Sequence, residues 1–206
     1  MSFVSPVILR ANGVRLEPLT LQHGQGLIDA ATDGQLWNNR VTSVPEPAQT
    51  RGYIETALCE RETGSRFAFA VLDEASGKVL GTTSYHDILP DVQRLEIGYT
   101  WYARGVQRSH VNTTCKLLLL THAFETLECR VVGWRTDNFN RASQRAIERL
   151  GAHRDGIIRG HKLRRDGTIR DTVLYSVSRG EWPEIKAHLL DLLHARPAGA
   201  APDPEA

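Results

Sequence analysis

Apolar and polar positions alternate over Val14-Arg15-Leu16-Glu17-Pro18, which predicts a first strand that stops at the proline and passes into a helical stretch from Leu21. Residues 50–62 carry Tyr53, Ile54, Ala57 and Leu58 at helical spacing, and Gly64 supplies a stop. The period then changes. Residues 67–72, 79–86 and 95–102 are rich in β-branched and aromatic side chains, and the turn-forming runs Glu74-Ala75-Ser76-Gly77 and Leu89-Pro90-Asp91 separate them, so three consecutive strands of an antiparallel meander are expected. From Val111 to Leu127 apolar residues recur at 111, 115 and 118 and again at 117, 120 and 124, a stripe wide enough for a helix lying flat on a sheet. A strand over 130–136, a helix over 140–150 closed by Gly151, a hairpin pairing 157–163 with 172–177 around Asp166-Gly167, and a helix over 181–195 complete the pattern. The expectation is one α+β domain over 1–195, a mostly antiparallel sheet of about seven strands with helices on both faces, followed by a disordered Pro- and Ala-rich tail over 196–206.

Composition narrows the function classes. Twenty-five Lys and Arg stand against 24 Asp and Glu, a formal charge of +1, so no global field draws the chain to nucleic acid or to an anionic membrane, and any anion site must be local. The longest leucine run, Leu117 to Leu120, is far too short to span a bilayer, and the N-terminal residues lack a basic start followed by a long apolar stretch, so a cytoplasmic location without membrane partners is expected. Cys59, Cys115 and Cys129 form no CxxC pair and read as reduced core thiols, with no metal centre expected. The basic stretch from Arg154 to Arg170 is interrupted by Asp155 and Asp166 and reads as a solvated hairpin edge, not an RNA surface.

Chemistry concentrates where the third meander strand gives way to the leucine-rich helix. A strand-to-helix junction over 101–114 points free backbone N–H groups outward, and the helix dipole adds about half a positive charge, enough to hold a pyrophosphate. Arg104 and Arg108 add charge, and Ser109, Asn112, Thr113 and Thr114 offer further donors, although the same residues equally fit an ordinary capped helix. Asn140 and Ser143 stand three apart at a helix start, as an N-cap and its partner do. Strand alternation sets Glu96 with Gly98, Thr100 and Tyr102, opposite Leu95, Ile97, Tyr99 and Trp101; His86 sits near the end of the preceding strand.

The runs Leu95-Glu-Ile-Gly-Tyr-Thr-Trp-Tyr102, Gln107-Arg-Ser-His-Val-Asn-Thr-Thr114, Thr136-Asp-Asn-Phe-Asn-Arg-Ala-Ser143 and Arg149-Leu-Gly151, with the order of elements, resemble the GNAT N-acetyltransferases of the RimJ/RimL-like branch from about Val14 to Trp182. The resemblance implies the GNAT fold, acetyl-CoA as co-substrate and no metal. Its coenzyme loop, Gln/Arg-x-x-Gly-x-Gly/Ala, falls on Gln107, Arg108, Ser109, His110, Val111 and Asn112, with Tyr102, Thr113 and Asn140 as further coenzyme contacts; His110 and Asn112 replace both small residues. Ile147 occupies the slot where many relatives carry a thiolate-protonating tyrosine, so the resemblance assigns Ser143 to the departing thiolate and Asn140 to the pantetheine arm. The resemblance makes Glu96, which by itself equally reads as a salt-bridged strand glutamate, the general base, directly or through water, with His86 as second candidate; Trp37, Asn38, Arg40 and Tyr53 lie in the region that forms a wall of the acceptor groove, Trp37 reading as simple packing. Direct transfer in a ternary complex to a primary amine, either a protein N-terminus or a small amine, and a homodimer complete what the resemblance implies. A non-catalytic acyl-CoA sensor of the same fold is the alternative, favoured by the altered loop.

Overall fold

A computed structural model describes residues 3–195 of the chain. The expected tail over 196–206 lies outside the described residues. One sheet of eight strands carries the fold: β1 (Leu9–Ala11), β2 (Val14–Pro18), β3 (Arg66–Asp73), β4 (Val79–Leu89), β5 (Arg94–Tyr102), β6 (Val131–Asp137), β7 (His153–Leu163) and β8 (Ile169–Ser178), in the order β1-β2-β3-β4-β5-β6-β8-β7. The predicted meander is β3-β4-β5, antiparallel throughout. The extra strand β1 pairs with β2 across Asn12-Gly13, both in left-handed backbone (φ 46 and 73), the turn chemistry of a tight hairpin.

Helices α1 (Gly24–Thr32) and α2 (Thr50–Glu62) cover one face; α3 (His110–Thr121) and α5 (Trp182–Ala195) cover the other, and α4 (Arg141–Glu148) follows β6. The larger core cluster joins Phe67, Phe69, Val71, Tyr85, Leu95 and Ile97 of the sheet to Leu119, Leu120 and Phe124 beneath it. Each such side chain contributes about 1.5–3 kcal/mol when fully buried. Helix α3 runs on through one π-helical turn, His122–Thr126. The Tyr85 hydroxyl donates to the Leu119 carbonyl at 2.6 Å just before that turn, tying strand to helix where the regular ladder changes. Of the three thiols, Cys115 and Cys129 are buried, whereas Cys59 lies exposed on α2, so the core assignment fails for Cys59.

Two irregularities in β5 create the site. Thr82 pairs with Trp101 but Ser84 with Gly98, so β5 carries one extra residue, and Tyr99 adopts φ 51. This bulge reverses the alternation beyond it. The placement of Glu96 on one face with Thr100 and Tyr102 is thereby corrected: Glu96 shares its face with Gly98 and Trp101, whereas Thr100 and Tyr102 turn to the α3 side with Leu95 and Ile97. The second irregularity is the parallel pairing of β5 with β6, which stops after Arg94–Val131, Leu95–Val132 and Glu96–Gly133. Beyond it β6 continues along β8, β5 continues along β4, and a wedge opens between them.

Candidate active site

The rim of the wedge is the loop between β5 and α3, fixed by specific bonds. Asp33 accepts from the Gly105 N–H through its carboxylate at 2.7 Å and from the Arg104 N–H through its carbonyl at 3.2 Å; the Gln107 amide donates to the Tyr102 carbonyl at 2.9 Å. Ser109 donates its hydroxyl to the Val106 carbonyl at 2.7 Å and accepts from the Val111 N–H at 3.3 Å, an N-cap. The N–H groups of His110 and Asn112 have no partner inside the helix and, with the dipole, suit phosphate oxygens.

His110 does not obstruct this start. The left-handed residue of the loop is Arg108 (φ 58), while His110 is already the first residue of α3. Its side chain borders an open recess of about 330 Å³ beneath the β3–β4 turn, together with Asp73, Ser76 and Lys78. Hydrogen bonds from Ser76, and to a smaller extent the charge of His110, hold the Asp73 carboxyl below its usual range. The glycine of the resembling pattern is thus not required for φ at this position.

The other predicted coenzyme residues divide into main-chain and side-chain contributors. Val111 is buried in the core and offers only its backbone. Thr113 is buried, its hydroxyl accepting from Arg149 Nη2 at 3.2 Å behind the helix. The Tyr102 hydroxyl donates to Asn112 Oδ1 at 3.3 Å, and burial pushes this phenol well above its ordinary range. The Ala103 N–H donates to the Leu80 carbonyl at 2.8 Å; strand alternation turns the Tyr102 N–H the other way, into the wedge.

Across the wedge, Asn140 caps α4 by accepting from the Ser143 N–H at 3.1 Å. The half-buried Ser143 hydroxyl makes no hydrogen bond among the described residues, and Ile147 is buried one turn on.

Beneath the wedge lies a charged cluster. Glu96 is 2% exposed; its Oε1 accepts from Arg135 at 2.9 and 3.1 Å and stands 3.5 Å from Arg94, while its buried Oε2 has no partner. His86 is stacked over Gly98: a Cβ added there would lie 2.3 Å from its Nε2. Its Nδ1 bonds Asp87 Oδ2 at 2.7 Å, which leaves Nε2 as the proton-accepting atom of a neutral ring. Burial lowers the imidazole from its usual 6.5 despite the opposing pull of Asp87 and Glu96. Single oxygen or nitrogen atoms of His86, Asp87 and Glu96 come within 4.8 Å of one another, a spacing that metal ligands also show, but Arg94 and Arg135 already supply the positive charge. Sequence reasoning did not single out Asp87 or Arg135; Asp87 sits at a second bulge, in β4, where His86 pairs with Glu96 but Leu89 with Arg94 and Asp87 adopts φ 45.

Tyr53, Arg66 and Tyr99 form one stack, with Tyr99 edge-on to His86. The buried Arg66 guanidinium stacks 3.7 Å from the Tyr99 ring centre and donates to Ser84, Glu60 and the Tyr53 hydroxyl. The expected solvated edge is corrected at the β7–β8 tip. Arg164 makes a two-point bond to Asp137 at 2.6 and 3.0 Å, Arg165 donates to the carbonyls of Val44 and Trp37, and Arg40 pairs with Asp166 at 3.3 Å, so the tip reaches across to the segment that follows α1. Trp37 packs on the smaller core cluster, and Asn38 bonds Gln35, away from the charged cluster.

Comparison with known proteins agrees with this geometry. A GCN5-related N-acetyltransferase from Brucella melitensis superposes with a TM-score of 0.82 at 31% identity, covering 92% of this chain and 86% of that one. RimJ of Mycobacterium smegmatis, solved in complex with CoA-disulfide, shares the fold with a TM-score of 0.76 at 17% identity over 93% and 94% of the two chains. In sequence, the Bacillus subtilis (strain 168) protein YdaF, whose name describes a ribosomal N-acetyltransferase, is 32% identical over 106 residues; the match spans 52% of this chain and 57% of YdaF. The profile of the acetyltransferase (GNAT) domain matches residues 14–153, more than half of the sequence, and the chain therefore belongs to the GNAT acetyltransferase family.

Proposed function

We propose that the protein is an acetyl-CoA-dependent N-acetyltransferase that passes the acetyl group directly to a primary amine, with the free α-amine of a protein as acceptor. The observation that carries this reading is the wedge itself: β5 and β6 part after Glu96 and Gly133, immediately beside a helix start where the His110 and Asn112 N–H groups have no intrahelical partner. Acetyl-CoA, when bound, supplies an acetyl thioester. The α3 N–H groups of His110 and Asn112 hold its diphosphate, with Arg108 and Gln107 on the rim; Tyr102 and Asn140 border the pantetheine arm. Wedge-facing N–H groups of β5 polarise the reacting carbonyl, the stabilisation that usually contributes most. Ser143 offers its unengaged hydroxyl to the sulfur. Glu96 and the His86–Asp87 pair form the proton-accepting station.

An α-amine suits so modest a base. At pH 7 roughly a tenth of an amine of pKa about 7.7–8 is already neutral, against about one in 2,500 for a lysine. YdaF's description as a ribosomal N-acetyltransferase favours a protein acceptor as well. The test uses isotope-labelled acetyl-CoA with peptides carrying a free α-amine, matched peptides whose only amine is lysine, and small amines. Labelling of α-amine peptides at the highest kcat/KM is expected. Coenzyme binding without transfer to any member of the panel would overturn the reading in favour of a sensor, and an acetyl-protein adduct in acid-quenched samples would overturn direct transfer.

A further inference from the structure

One buried cation has no part in the roles above. Lys116 of α3 is 4% exposed, and its Nζ donates to one atom, Thr100 Oγ1, at 3.2 Å. The Thr100 hydroxyl is shared with Thr83 Oγ1 at 2.7 Å and reaches the Gly98 carbonyl at 3.3 Å. No carboxylate among the described residues pairs with Lys116. The titratable groups next to it are Cys115 on its own helix and, bonded to that thiol, Tyr102 on β5. Neither is an anion at neutral pH, because burial pushes the Cys115 thiol up to about 11 and the Tyr102 phenol well above its ordinary value. An ammonium with three donors, one acceptor and no counter-charge is costly to bury, and such a group is retained where a ligand completes it.

The place of the missing charge follows from the strands. Thr100 stands just past the Tyr99 bulge and four residues beyond Glu96, the last β5 residue paired with β6, so the ammonium lies against the stretch of β5 that borders the wedge on its α3 side. We propose that Lys116 is the counter-charge and proton donor for the sulfur of coenzyme A. This rests on the transferase reading. When the acceptor nitrogen forms its bond to the acetyl carbon, the carbon–sulfur bond breaks with its electron pair left on sulfur. Lys116 passes one Nζ proton to that sulfur, giving a thiol and a neutral amine, while the proton of the attacking nitrogen goes to the His86 and Glu96 station; solvent exchange resets both groups.

Burial lowers Lys116 from 10.5 to about 8, close to an ordinary thiol at about 8.5, so the transfer is nearly balanced in energy. A serine hydroxyl is too weak an acid for this step, which leaves Ser143 to hydrogen-bond the sulfur, and Ile147 provides no other acid in the tyrosine slot.

The experiment titrates the thiol of bound CoA by thiolate absorbance, with binding followed separately by calorimetry. The wild-type complex is expected to ionise its thiol with an acid constant about tenfold or more above that of free CoA, and Lys116→Met to abolish the enhancement. Lys116→Arg, which keeps the charge and cannot release its proton, should retain the enhancement and lose turnover. A thiol that titrates as in free CoA in the wild-type complex, or an enhancement that Lys116→Met retains, overturns the assignment while leaving the transferase reading intact. Failure of CoA to bind at all overturns both.

Discussion

The unpaired burial of Lys116 makes a prediction that runs against the usual effect of mutating a buried residue. The proton of this lysine is held at 10.5 in the open chain and at about 8 in the fold. At about 1.4 kcal/mol per pH unit, that difference opposes folding by about 3 kcal/mol at pH 7. Lys116→Met keeps the length of the stem and removes the charge. It loses the bond to Thr100, worth about 1 kcal/mol, while Thr83 still satisfies that hydroxyl. The net expectation is stabilisation by about 2 kcal/mol at pH 7, or roughly 4–8 °C in Tm for a chain of this size. The folded form binds the proton more weakly than the unfolded one, so the wild type gains stability as pH rises from about 8 to 10.5, and the variant does not. The two unfolding curves in urea, followed by tryptophan fluorescence, should therefore differ in favour of the variant at pH 7 and cross before about pH 10. A variant less stable than wild type by 1 kcal/mol or more at pH 7, with an unchanged m-value, would refute the argument that this cation lacks a counter-charge among the described residues.

Three further outcomes follow from the site and core. Gly98→Ala places a Cβ 2.3 Å from His86 Nε2 and must swing the imidazole away, so kcat should fall about a hundredfold, the scale of a lost general base, with little change in Tm; unaltered kcat would remove His86 from the proton-accepting station. Asp87→Asn removes a pull that raises the His86 imidazole, so the acid limb of kcat/KM should move to lower pH and the plateau should drop; a limb moving upward contradicts the hydrogen-bonded pair. Tyr85→Phe deletes the 2.6 Å bond to the Leu119 carbonyl and the contact with His122, and thermal unfolding should report a loss of about 1–2 kcal/mol, whereas a neutral result would mean the hydroxyl does not anchor α3.

Periodicity made most of this fold legible. Helix α2 stands where helical spacing places it, and strands β3 to β5 where β-branched and aromatic runs bounded by turn residues place them, because each buries apolar side chains. The first hairpin carried its signal in Asn12-Gly13, yet β1 is only three residues long and has no period to measure. The β5 bulge is different in kind. Tyr99 is not a residue that favours positive φ, so nothing local announces that Thr100 and Tyr102 change face, and the surroundings of Glu96 were misread for that reason. Lys116 was recoverable in principle: its helical neighbours Thr113, Leu119 and Leu120 are all apolar or small, and all are buried. The docked β7–β8 tip was hidden because Arg164 and Asp137 are 27 residues apart, and charge alternation looks the same on a solvated edge.

The claim on which the account depends is that coenzyme A occupies the wedge between β5 and β6 with its diphosphate on the first N–H groups of α3. A crystal structure of the protein soaked with CoA tests it most directly. The account predicts diphosphate oxygens within hydrogen-bond distance of the N–H groups of His110 and Asn112, the pantetheine beside Tyr102 and Asn140, and the sulfur beside Thr100 and Lys116. An imidazole of His110 turned into the helix start, with CoA absent or seated in the recess beside Asp73 and Lys78, would contradict it.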